Sequence, residues 1–177
     1  MAPGSMSGQI ARWDWLVRLT HWWVAAVFLW NYWWPDDGDD LHQWLGYSLL
    51  AVLVIRWGWG FVGPRNARWA DFFPTPARVC NSIHHFRAEH QAEGHKPHHT
   101  PLAGVMVVGL WLGLLVTGFS GWLQETDRYW GEQWVQLLHE WSANLVMAAV
   151  VVHIAAVVWI QWRFKLPLVK AMLFGRS

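Results

Sequence analysis

Four long apolar blocks, at about 14–34, 41–63, 101–123 and 136–162, leave this chain few options. A helix needs about 20 mostly apolar residues to cross a hydrocarbon core about 30 Å thick, and each block supplies them. Inside lipid every backbone N–H and C=O must be satisfied within the segment, so such blocks fold as helices. The 177 residues are 54% hydrophobic and only 14% charged. A soluble domain of this length would disperse its apolar residues rather than gather them into blocks. The expected architecture is an all-α membrane protein, a four-transmembrane-helix bundle forming a single domain over residues 1–177. The first block stops at Pro35 and an acidic DDGDD turn, the second at Gly63–Pro64. Residues 64–100 form the one long connection between blocks, with a short interfacial helix expected within 77–92.

The charge distribution orients the bundle. With the N-terminus in the cytoplasm, every Lys and Arg except Arg128 falls on the inner side or at an inner helix end. This positive-inside pattern places both termini in the cytoplasm, together with the longer loop between helices 2 and 3. The outer turns are acidic instead, carrying Asp36, Asp37, Asp39 and Asp40 in one and Glu125, Asp127 and Glu132 in the other. Many of the 18 tryptophans crowd the block ends: Trp33, Trp34, Trp122 and Trp130 outside, Trp57, Trp59, Trp159 and Trp162 inside. That is the aromatic belt expected of membrane spans. The first block is too long for a cleavable signal and lacks a small-residue cleavage site, so none is expected. A net charge of +1 gives no reason to expect a nucleic-acid partner.

Histidines carry the chemistry. Four of the ten lie inside the spans: His21, His42, His139 and His153. Block one runs outward, so His21 is near its inner end; block two runs inward, so His42 is near the outside. Block four also runs inward, with His139 outer and His153 inner. The last two are fourteen residues apart, which puts both rings on one helix face about 21 Å from each other. Depth therefore sorts the four into two cross-helix pairs, His21 with His153 and His42 with His139. A lone intramembrane histidine is often only a hydrogen-bonded packing partner. Four that pair by depth argue for more, since each polar ring in lipid is costly. Two bis-histidine haems need this arrangement, because each iron takes two trans imidazoles from facing helices.

Small residues lie one turn from every ring: Ala25 after His21, Gly46 after His42, Ala143 after His139, and Ala149 and Ala156 around His153. They suit a flat macrocycle, although close helix packing uses small residues too. A zinc site fits less well, because neither depth offers a carboxylate or thiolate beyond Glu140 near the surface. The single cysteine, Cys80, excludes an intrachain disulfide, and no C-x-x-C-H motif is present, so any haem would be held non-covalently. Arg56, fourteen residues after His42, and Arg18, one turn before His21, are candidate partners for haem propionates, with snorkelling to the interface as the competing role. The loop histidines His84, His85, His90, His95, His98 and His99 match no compact ligand set. Gly109 and Gly113 form a small-residue seam for packing against a helix or a haem face.

The segments VRLTHWW, HQWLGY, IRWGWGFVGPRNARWADFFP and LHEWSANLVMAAVVVHIAAVV resemble the bacterial cytochrome b561 family, especially the branch containing the b-type cytochrome subunits of nickel–iron hydrogenases. The similarity runs through nearly the whole chain from about residue 10. It implies that His21, His42, His139 and His153 are axial ligands of two haems b in a bacterial inner-membrane protein. It also implies electron exchange between a periplasmic partner and the quinone pool.

No residue is needed for covalent chemistry, so the chain reads as a wire between an outer haem (His42/His139) and an inner one (His21/His153). Its enzymatic status stays open between an electron-transfer cytochrome and a quinone oxidoreductase. Some members of the family oxidise superoxide. The acidic outer turns would repel that anion and attract a basic cytochrome c, which favours an electron-transfer protein or hydrogenase-like partner. A histidine-based metal or proton transporter is the rival from another class. Membrane lipid is a further partner, and a homodimer stays open.

Overall fold

The computed structural model describes residues 14–34, 39–64, 68–69, 74–84 and 101–175. Six helices make up the described chain: α1 (Trp15–Trp33), α2 (Asp40–Val62), α3 (Pro76–His84), α4 (Pro101–Gln124), α5 (Gln133–Phe164) and α6 (Leu168–Phe174). Capping explains where several begin. Asp14 Oδ1 accepts from the backbone N–H of Leu16 (2.8 Å) and Val17 (3.3 Å), which starts α1. Asp39 Oδ1 accepts from the N–H of His42 at 2.6 Å, so one acidic turn residue both opens α2 and fixes His42 in its first turn. The α4–α5 connection tightens through Gly131, whose φ of +76° favours glycine.

By length and composition three helices are able to cross a membrane: α2, α4 over Ala103–Gln124, and α5. α1 has 19 residues but is not among them, because Arg18, His21, Asn31 and its indoles dilute its apolar character. The fourth block becomes a helix of 32 residues, running from Gln133 rather than 136 and to Phe164 rather than 162. At about 1.5 Å per residue it is about 48 Å long and overshoots an apolar core of about 30 Å. A short helix does lie in the region expected, α3, starting at Pro76 rather than 77; residues 85–92 lie outside the described residues.

Every long helix contributes to one apolar core: Val27 and Phe28 from α1, Leu49 and Leu53 from α2, Leu114 from α4 and Val146 from α5. Val146 is seven residues from both His139 and His153, so this core forms a layer about 10 Å from each ring along the helix. Close backbone neighbours are α1 with α2, α2 with α4, and α4 with α5. Glycines make the α4 contacts possible. A Cβ at Gly113 would meet Val146 of α5, and one at Gly118 would meet Leu50 of α2. Gly109, grouped with Gly113 in the sequence, would meet nothing, so the working seam is shifted toward the C-terminal half of α4.

Most large apolar side chains point outward, among them Leu145 (70% exposed), Trp141 (71%) and Trp162 (77%). Exposure on this scale suits lipid rather than water. The chain is an integral membrane protein.

A feature without a sequence expectation follows α5. Lys165 adopts φ 54°, a left-handed cap, and the chain turns through Pro167 into α6. Gln161 Oε1 accepts from the N–H of Val169 at 3.1 Å, bracing the turn. The other end of α6 is tied to α1. Arg18 Nε donates to the carbonyl of Met172 at 3.0 Å, its Nη2 donates to Leu173, and Trp22 Nε1 donates to Met172 at 3.4 Å.

Candidate functional site

α1 and α2 each present one histidine, and α5 presents two. His21 and His153 stand with ring centres 6.4 Å apart and planes at 54°. His42 and His139 stand 6.1 Å apart with planes at 67°. Two imidazoles trans on one metal ion have ring centres about 6.3 Å apart, given about 2.0 Å from metal to nitrogen and about 1.15 Å from nitrogen to ring centre on each side. Rotation about the shared axis leaves that separation unchanged, so either interplanar angle is compatible with it. Both pairs bridge helices whose backbones are not close neighbours, since the close long partner of α5 is α4.

The surroundings of the rings differ. Nδ1 of His21 and Nδ1 of His42 are buried with no hydrogen-bond partner among the described residues. A buried imidazole nitrogen left so is costly in an apolar span, a cost that helix packing alone does not explain. A Cβ at Gly46, one turn from His42, would meet nothing, leaving room beside that ring. Among the described residues no three His, Cys, Asp or Glu side chains converge to hold a bare metal ion. Two imidazoles with no third protein ligand suit a metal that brings its own equatorial ligands, as haem iron does.

His139 sits differently from the others. Its Nδ1 lies 2.8 Å from the carbonyl oxygen of Thr117 on α4 and 3.4 Å from Ser120 Oγ. A carbonyl only accepts, so Nδ1 carries the proton and Nε2 the lone pair.

A family model described as prokaryotic cytochrome b561 matches residues 12–175. The chain belongs to that family. Comparison with curated proteins and with solved structures finds no match. Family membership makes this membrane protein a b-type cytochrome of electron transfer and implies haem b, which the paired, partly unsatisfied imidazoles fit.

Of the two arginines singled out in the cytochrome's sequence, Arg18 spends Nε and Nη2 on the last carbonyls of α6. Cations at a helix C-terminus are favourable, and sequence spacing gave no sign of this partner. Arg56 is half-buried, its guanidinium 6.0 Å from the Trp69 ring centre. Its Nη1 is buried and unpartnered among the described residues, so a donor is left for an anionic group. Of the loop histidines, His84 is the exposed last residue of α3, and the rest lie outside the described residues. The contacts missed at the sequence level are Thr117 and Ser120 on α4. The glycine that admits them, Gly121, was the only available signal.

Proposed function

We propose that this cytochrome holds two haems b and carries electrons across the bacterial inner membrane, between a periplasmic redox protein and the quinone pool. The observation that carries this reading is the pair of imidazole sandwiches, 6.4 and 6.1 Å between ring centres, each at the separation one metal ion demands. In it, α1 is a fourth span, both termini are cytoplasmic, and residues 1–177 form one domain. His21 and His153 hold the inner haem, and His42 and His139 the outer. The two sites lie about 21 Å apart along α5. When bound, haem b supplies reversible one-electron chemistry at iron.

The chain's own contribution is positional. α5 gives one face to both sites, and the Val27, Phe28, Leu53 and Val146 layer keeps water from the space between them. Arg56 offers its free donor to a propionate at the inner site, while Arg18 anchors α6 beside it. Asp39, Asp40, Glu125, Asp127 and Glu132 give the outer surface a negative charge that attracts a basic cytochrome c or similar partner.

The deciding measurement is a reduced-minus-oxidised visible spectrum with a haem assay on purified protein. About two haems b per chain are expected. A folded but colourless protein refutes the reading.

A further inference from the structure

Resting on the two-haem reading, the geometry around His139 points to one step more. We infer that the main-chain carbonyl of Thr117 is a positioning group that makes the outer site the lower-potential one of the two.

Of the four intramembrane rings, His139 alone has a ring N–H on a carbonyl among the described residues. Its Nδ1 to Thr117 O distance is 2.8 Å. His21 and His42 have buried Nδ1 atoms with no partner, and the His153 ring has no hydrogen bond among the described residues. The contact is built rather than incidental. A Cβ at Gly121 would lie 3.1 Å from Cε1 and 3.2 Å from Nδ1 of His139, so only glycine lets the ring lie against α4 without displacement. One further bond, from Thr117 to Ser142, crosses from α4 to α5, and each of its two side chains is also tied to its own helix. Ser142 Oγ donates to the carbonyl of His139 itself at 3.0 Å. Thr117 Oγ1 lies 2.9 Å from that same Ser142 Oγ and 2.9 Å from the Gly113 carbonyl. The side chain of Thr117 thus fastens the helix whose carbonyl receives the ring.

A hydrogen bond from Nδ1–H to a carbonyl fixes the tautomer and makes the opposite nitrogen a stronger electron donor. A stronger axial donor favours oxidised over reduced iron and lowers the reduction potential. The outer site has this contact and the inner site lacks it, so the outer site holds an electron less tightly.

The test uses the full chain with its haems, followed by visible spectra at controlled potential. The outer haem is identified as the one lost in His42→Ala. In the wild type it is expected at the lower potential. Gly121→Ala displaces the ring by a few tenths of an ångström, loosening its bond to the carbonyl, and is expected to shift the outer equilibrium toward reduction by up to about tenfold, about 59 mV for one electron, with the inner haem unmoved. Gly109→Ala, in the same helix but facing open space, is expected to move neither. Ser120→Ala removes a hydroxyl that itself donates to Thr117 O at 3.0 Å, leaving that carbonyl to the ring; the outer potential is expected to hold or fall. Three results overturn the inference: an outer haem of higher potential, a Gly121→Ala outer haem that does not move, or a rise in Ser120→Ala. A haem-free protein fails the two-haem reading and takes this inference with it. A two-haem protein with the wrong order fails this inference alone.

Discussion

His139 and His42 face each other, yet only one of them is braced from behind. His139 meets the Thr117 carbonyl, whereas His42 is positioned by its own backbone, through Asp39 at the start of α2. Replacing either imidazole with alanine is expected to remove the outer haem and leave the inner one, halving the haem content per chain; loss of both in a folded variant would contradict the pairing. Arg56→Gln is expected to lower the inner potential, since a nearby cation favours the added electron; potentiometry of the inner haem checks it. The histidines were legible because polar rings in apolar blocks stand out and helix direction assigns their depth. The Thr117 contact was not, because a main-chain carbonyl leaves no mark on the sequence beyond the glycine that exposes it. The bonds of Arg18 were hidden for a related reason: their acceptors are carbonyls of a helix that sequence alone did not reveal.

Among the elements, α2, α4 and α5 were readable from length alone, because lipid tolerates little else over such blocks. Their ends were less so: α5 runs from Gln133 to Phe164 because nothing helix-breaking intervenes before the left-handed Lys165. α6 escaped detection because seven residues after Pro167 are too few to display a helical period. Its attachment is testable. Arg18→Met removes charge-assisted bonds worth about 1.5–3 kcal/mol each. Trypsin is then expected to cut after Lys165 and Lys170 about tenfold faster or more; an unchanged rate would mean that α6 is held by something other than Arg18. The α4–α5 seam gives a second prediction. Gly113→Leu drives a side chain into Val146, and it is expected to lower the thermal midpoint by several degrees, read as haem release on heating.

On the scale of the whole molecule, an apolar band meets acidic turns that the proposed orientation puts outside, and the two are expected to serve different neighbours. Lipid takes the first. The second is expected to make reaction with a basic cytochrome c fall steeply as ionic strength rises, because screening shortens the reach of Asp39, Asp40, Glu125, Asp127 and Glu132. Stopped-flow rates between low and physiological salt measure it, and a flat profile would remove the steering role from these carboxylates. The placement of both partner rings on α5 also has a bearing on how the molecule comes into being. A ribosome that has released only α1 and α2 has delivered His21 and His42, but no imidazole to face them. Neither site can close until the last long helix enters the bilayer, and then both close together. On the two-haem reading, cofactor uptake is therefore expected to be a late and joint event in biogenesis, and a chain cut short before Gln133 would leave the translocon with neither site, never with half of the proposed complement.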